Sequence, residues 1–396
     1  MLVDVTRLVR RVFKGTLPTG VDRVSNAYID HYSRRAAALV RIAGVWTVLG
    51  ARESRRVFDT LLERGRGSAR RLAWSIGRGI AWPSVPAQHR LLVNAGHSGL
   101  EYSSYARQVR KRALLPLYFA HDLIPISHRE YSRAGEDQRH ARRLKTMFDT
   151  GKGLIVNSQA TRAALANYAR ERGLRLPECI VAPLAPAPMP PPSGRPLAQN
   201  YFVILGTIEP RKNHALLLQV WRQLVEQQGE SAPTLVVIGQ RGWDCAMVID
   251  QLERSSVTGG KVLYKPDCGD RELSTWLRHA RALLFPSFTE GFGMPLVEAL
   301  ALGVPVIASA LPVFLEIAGT VPEYLDPLDA PGWERAIRDY SVAGGTRRNL
   351  QIERIKQYSG PTWREHFEVV DQLIDRWQRR PEPAKASGGW IYVSRY

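Results

Sequence analysis

Residues 282–309 admit few folds. Ala282-Leu283-Leu284-Phe285 is an apolar run with the length and bulk of a buried strand, and Pro286-Ser287 ends it. In the following loop, Thr289-Glu290-Gly291-Phe292-Gly293, two glycines permit backbone conformations that other residues resist. Met294-Pro295-Leu296 opens a helix, with the proline in the first turn, where its missing N–H costs nothing. Gly303 stops that helix, and Val304 to Ala308 reads as the next buried strand. Strand, loop, helix and strand make a βαβ unit. Its loop lies at the carboxyl end of a strand, where open α/β sheets bind ligands.

Two carboxylates mark this unit. Glu290 stands in the loop and Glu298 eight residues on, inside the helix. The helix N-terminus suits a phosphate, through its N–H groups and positive dipole end. A carboxylate just before it can accept hydrogen bonds from sugar hydroxyls, and Glu298, about a turn further in, has the reach for a ribose. The same spacing fits a helix-capping Glu290 and a solvated surface Glu298. The spacing alone leaves both readings open.

The pattern of strand and helix recurs along the chain. Leu2 to Val5 reads as a first strand, followed by a loop through Gly15 to Gly20 and a helix from Val21. Gly20 then sits where a first strand–helix turn approaches a phosphate. Leu114 to Ala120 is a strand that ends in His121-Asp122, and His97 follows an earlier strand as a loop histidine. Tyr201 to Leu205 is a strand followed by Gly206 and then Arg211-Lys212 beside a helix start, the makings of a diphosphate clamp. Arg offers bidentate contacts to phosphate oxygens and Lys a compact charge. A charged surface turn is the plainer account of the same residues.

Charge and punctuation divide the chain. Residues 1–200 carry 33 Lys and Arg against 14 Asp and Glu, whereas residues 201–396 carry 22 against 23. The whole excess belongs to the first half, which points to an anionic membrane surface or a polyanion. No motif supports nucleic acid. Arginines interleaved with aliphatic and aromatic residues over 52–82 fit an interfacial amphipathic helix or hairpin as well as an ordinary surface helix. Three cysteines, Cys179, Cys245 and Cys268, have no metal-site spacing and fit a reducing cytoplasm. No apolar stretch reaches the roughly 18 residues of a membrane span. The expected divisions are residues 1–183, a proline-rich linker at 184–200, a second α/β domain at 201–360, a helix at 361–380 and a tail at 381–396.

The run PSFTEGFGMPLVEALALGVPVIAS resembles the signature of glycosyltransferase family 4, the retaining family with the GT-B fold, and GTIEPRKNH resembles a second motif of that family. The resemblance implies two Rossmann-like α/β domains facing a central cleft, with a C-terminal helix that crosses back to the first. It gives Glu290 a contact with the donor sugar, Glu298 the ribose, and Arg211 and Lys212 the donor diphosphate. Gly206, Gly291, Phe292 and Gly293 then belong to the donor site. His121 takes the histidine's place beside the transferred sugar, and Asp122 is expected either to orient its ring or to make an adjacent structural hydrogen bond. Gly20 takes the place of a family glycine beside the diphosphate, although Pro18-Thr19-Gly20-Val21-Asp22-Arg23 departs from the usual glycine pair. The implied enzyme moves a hexose, with GDP-mannose ahead of UDP-sugars, to a lipid-linked saccharide or polysaccharide of a bacterial surface. It resembles exopolysaccharide and O-antigen mannosyltransferases and is expected at the inner face of the cytoplasmic membrane. No cofactor or metal is expected, since two cations and a helix dipole face the leaving group and no DxD pair occurs. A nucleotide-sugar 2-epimerase and a non-catalytic membrane-bound scaffold are the rival readings.

Overall fold

Strands with apolar side chains on both faces need cover on both sides, and the helices between them supply it. In the computed structural model, which describes residues 1–16, 18–42, 44–63, 65–81, 91–254 and 259–379, they form two sheets. The first contains β1 (Leu2–Asp4), β2 (Ala37–Ile42), β3 (Val45–Val48), β4 (Leu91–Asn94), β5 (Leu115–Ala120), β6 (Gly153–Val156) and β7 (Glu178–Val181). Its order is β3-β2-β1-β4-β5-β6-β7, parallel throughout except for the antiparallel β2–β3 edge. The second contains β8 (Tyr201–Leu205), β9 (Thr234–Ile238), β10 (Val262–Lys265), β11 (Leu283–Phe285), β12 (Val306–Ser309) and β13 (Glu323–Leu325). All its strands are parallel, in the order β10-β9-β8-β11-β12-β13.

Each order reverses once, between β1 and β4 in the first sheet and between β8 and β11 in the second. At such a reversal the loops leaving two adjacent strands diverge and open a crevice at their carboxyl ends. The fold thus fixes two crevices before any functional residue is named.

The two halves are tied together by the helix Trp363–Arg379, which crosses back to the first sheet. Its buried His366 bonds the Tyr28 hydroxyl through Nε2 at 2.9 Å, and its Nδ1 lies 3.0 Å from the Pro183 carbonyl. Asp371 accepts from the Tyr32 hydroxyl at 2.8 Å and from Arg35 at 2.7 Å. One turn on, Arg376 and Trp377 both reach Glu178 on β7. The stretch 184–200 holds neither helix nor strand, and its backbone bonds Ser274 and Thr275 of the second half. Residues 380–396, which include the expected tail, lie outside the described residues.

Three sequence expectations change. Residues 6–13 are a helix, Thr6–Phe13, not part of a loop. Its buried Leu8 and Val9 continue the core contact of Val5, a stripe hidden in the sequence by intervening arginines. Gly20 therefore does not follow the first strand. It is the first residue of a second helix, Gly20–Tyr32, behind a Thr19–Asp22 capping box. The third change is β13, too short and too polar to stand out.

The basic segment is a hairpin of two helices, Ala51–Glu63 and Ser68–Ala81. Val57, Phe58, Leu61, Leu72 and Ile76 are buried in the first half's core. Leu62, Trp74 and Ile80 remain exposed, and the guanidinium groups of Arg56 and Arg78 lie 4.8 and 4.9 Å from the Trp74 ring centre. Arg64 and Trp82 lie outside the described residues. Among those described, no helix is long and apolar enough to cross a membrane.

Candidate active site

The loops after β8 and β11 meet at the second crevice. After β8 the chain turns at Gly206 (φ 148°), where a side chain would press on Lys212 Cε at 3.2 Å. A short 3-10 turn, Pro210–Lys212, then places Arg211 and Lys212 side by side ahead of the helix His214–Gln228. From the other loop comes Glu290. Its Oε2 lies 2.6 Å from Arg211 Nη1, and its Oε1 accepts from Lys212 Nζ at 2.5 Å and from Ser287 Oγ at 2.8 Å. Arg211 also pairs with Glu209 at 2.8 Å and donates to the Thr289 carbonyl at 3.1 Å. This is a buried clamp, not a surface turn.

Burial opposes every charge in the clamp. It would raise the Glu290 carboxyl, but Arg211 and Lys212 outweigh it and hold the group at about 2. Burial lowers Lys212 in turn, against the pull of Glu290. Arg211 stays charged because Glu290 and Glu209 more than offset its burial. The cations are thus preorganised at the mouth of the crevice with their counter-charge supplied by the protein.

Gly293 (φ 108°) ends the loop and caps the helix Met294–Ala301, where a side chain would strike the Phe314 ring at 2.5 Å. Phe292 turns away from the crevice and is buried in the core, so only its backbone faces the loop. Glu298 is 4% exposed, not a solvated acid. Burial raises its carboxyl to about 7, against the favourable charge of Arg23. Arg23 pairs with Asp270 at 2.6 Å across the two halves. Asp270 is the first residue of the helix Asp270–Arg278, and Gly269 holds its N-cap position. Gly20 comes to this region from the first half, 4.0 Å separating its would-be Cβ from Met294 Cγ.

His121 and Asp122 approach from the end of β5. The Gly291 backbone packs so tightly on them that a Cβ there would lie 2.8 Å from both the His121 carbonyl and Asp122 Cβ. His121 is buried, and its Nε2 lies 2.8 Å from the Ala95 carbonyl. A carbonyl only accepts, so Nε2 carries the proton and Nδ1 keeps its lone pair. Burial pushes the imidazole down to about 4, against the Ala95 carbonyl and Asp122, so it is neutral at pH 7. Of the two roles expected of Asp122, the structure gives the structural hydrogen bond: its Oδ1 accepts from Ile124 N at 3.0 Å, at the start of the short helix Ile124–Ser127. The orienting group is Ala95, in a loop that side-chain chemistry cannot reveal.

His97 is no surface histidine either. Held at φ 59°, it is inaccessible enough that burial drives its imidazole well below the usual value, and its ring centre lies 4.9 Å from that of His121. Glu316 accepts from Gln159 N at 2.6 Å and Ala160 N at 3.1 Å. It caps the helix Gln159–Glu171 from across the cleft, beside the Ser158 N-cap. Tyr131 stacks on Phe288 over the same seam, with ring centres 5.3 Å apart.

The two α/β sheets facing a cleft have the GT-B architecture of glycosyltransferase folds. Residues 189–321 match the family described as glycosyl transferases group 1. The O-antigen chain mannosyltransferase B of Escherichia coli is 36% identical over 33% of this chain and 34% of its own length. The O-antigen chain mannosyltransferase RfbU of Salmonella typhimurium is 29% identical over 45% of this chain and 47% of its own. The chain therefore matches less than half the length of either relative. Among solved structures, Anabaena HepE in complex with UDP-glucose superposes with a TM-score of 0.61 over 95% of this chain and 98% of its own, at 14% identity.

Proposed function

We propose that this protein is a retaining hexosyltransferase that moves mannose from GDP-mannose to a lipid-linked saccharide or polysaccharide acceptor of a bacterial surface. One observation carries the reading: the loop that supplies Glu290 to the buried Arg211–Lys212–Glu290 clamp packs, through the next residue Gly291, against the His121–Asp122 turn of the opposite sheet. A nucleotide-sugar whose diphosphate enters the clamp has its sugar beside His121 and its ribose toward Glu298. Arg211 and Lys212 then stabilise the charge that develops on the departing diphosphate, which is electrostatic catalysis without a metal. Transfer on the face that the diphosphate leaves preserves configuration and uses no protein nucleophile. The mannosyltransferase names of the two relatives favour mannose, and with it guanosine diphosphate.

A thermal-shift panel of GDP, UDP, ADP and their sugar conjugates tests the donor. A ligand at 100 times its Kd is expected to stabilise the protein by about 2.7 kcal/mol. A response to GDP-mannose, followed by transfer that survives EDTA, is the expected result. A response confined to uridine compounds would overturn the mannose donor, and silence across the panel would overturn the transferase reading.

With a lipid-linked acceptor, the protein would work at the inner face of the cytoplasmic membrane. The exposed Leu62, Trp74 and Ile80 of the arginine-rich hairpin supply the apolar contact in this reading. Co-sedimentation with phosphatidylglycerol vesicles is expected to fall at least several-fold in Trp74→Ser/Ile80→Ser. Unchanged sedimentation would remove the hairpin from membrane binding.

A further inference from the structure

The first sheet has its own reversal crevice, between β1 and β4, and the donor site leaves it unused. A cavity of about 380 Å³ occupies it. Six cations line the space: Arg7, Arg10, Arg11 and Lys14 from the first helix and its C-cap, and Arg139 and Arg143 from the helix Glu136–Thr150. The counter-charges are fewer. Asp22 takes Arg7 at 2.7 Å and Arg11 at 2.8 Å. Glu101 pairs with Arg139 at 2.6 Å, and Glu136 with Arg143 at 2.7 Å. Arg10 and Lys14 form no ion pair among the described residues, and both are exposed. Three acids against six bases leave a net positive crevice.

The floor is built for close approach. Gly96 and Gly99 sit where a side chain would meet Arg7 Cδ at 3.1 Å and Arg41 Nη1 at 2.0 Å. His97 lines the same space, and its ring lies beside His121. Arg7 is close enough to His121 to oppose its protonation. One imidazole therefore separates the cationic crevice from the proposed reaction centre.

We infer that this crevice binds the phosphate or diphosphate group of the acceptor. The inference rests on the proposed transfer reaction and narrows its acceptor. A phosphate held here lies across the His97 imidazole from His121, the two ring centres being 4.9 Å apart. The reacting hydroxyl then belongs to the first sugar or two after the phosphate, not to the far end of a long polymer. A phosphoester on a lipid and one on a soluble saccharide share this chemistry.

The test uses the full chain with the donor clamp occupied by whichever nucleoside diphosphate binds best. Farnesyl diphosphate and inorganic pyrophosphate are titrated calorimetrically into this complex and into the Arg10→Ser/Lys14→Ser variant. Both side chains are exposed and outside the ion-pair network, so circular dichroism should show an intact fold. The expected result is a loss of at least about tenfold in affinity for both probes, since charge-assisted hydrogen bonds are removed, with nucleotide affinity unchanged. Tighter binding of farnesyl diphosphate than of pyrophosphate in the wild type would assign the lipid source, and equal binding a soluble phosphoester. Equal affinities in variant and wild type, or an equal fall in nucleotide affinity, would overturn the site. If no nucleotide binds at all, the donor reading fails, and the same titrations without nucleotide still judge the crevice.

Discussion

Replacing Glu290 with glutamine is expected to reduce transfer about a hundredfold or more while the protein still binds nucleoside diphosphate. The carboxylate fixes both clamp cations, at 2.6 Å from Arg211 and 2.5 Å from Lys212, where charge on the leaving group must be met without rearrangement. Removing one partner of a buried ion pair leaves the others uncompensated, at a cost of about 3–5 kcal/mol. The pH dependence identifies the cause. The folded-state value of about 2 lies below the ordinary carboxyl value of 4.5, so the stability it contributes is fully present above 4.5 and is lost as pH falls toward 2. That shift corresponds to roughly 3 kcal/mol. The gap between wild type and Glu290→Gln in urea denaturation is expected to be wide at pH 7 and nearly closed at the lowest pH at which both fold. A bound diphosphate supplies the missing negative charge, so nucleotide should stabilise the variant more than the wild type. Transfer within twofold of wild type would remove Glu290 from the site. A smaller nucleotide-induced shift in the variant would mean that the diphosphate does not enter the clamp.

The sequence made the second crevice legible because its chemistry is local. Glycine, strand end and helix start follow one another within about ten residues in both Gly206 to His214 and Phe285 to Met294, so the chain order itself brings the charges to one place. The GT-B architecture was implied by the resemblance of two local motifs to glycosyltransferase family 4, not by the regularity of strands and helices alone. What stayed hidden depends on contacts between distant parts of the chain. The Thr6–Phe13 helix was masked because arginines on its outer face break up an apolar stripe only two or three residues long. Asp122 stands beside His121 in sequence, yet the backbone turns its carboxylate to cap the next helix and leaves Ala95 to hold the ring. Glu316 carries no sign that its partner lies 157 residues earlier. The cationic crevice was visible only as an imbalance between halves, since its six bases come from segments more than a hundred residues apart.

Glu298→Gln is expected to make the protein more stable and its nucleotide binding weaker. Glu298 is buried behind the loop, and burial raises its carboxyl from the ordinary value of 4.5 to about 7 even with Arg23 nearby. In the unfolded chain the group ionises near 4.5, so the native state loses ground as pH rises from about 4.5 to about 7 and stays lower above that. Glutamine has no proton to lose and avoids the penalty. At pH 8 the variant should therefore gain up to roughly 3 kcal/mol over wild type, a gain that vanishes near pH 4. Such a cost is tolerated in a protein where the charged form serves a ligand. A ribose that donates its hydroxyls to the carboxylate favours that form, so wild-type nucleotide affinity should rise as pH passes through about 7. In Glu298→Gln the affinity should be lower and flat over the same range. Melting curves at pH 5 and pH 8, with calorimetric titration of the same nucleotide, read both effects. A variant less stable than wild type at pH 8 would show that the buried carboxylate is held by its surroundings and not strained by them. A pH-independent wild-type affinity would move the ribose elsewhere in the cleft.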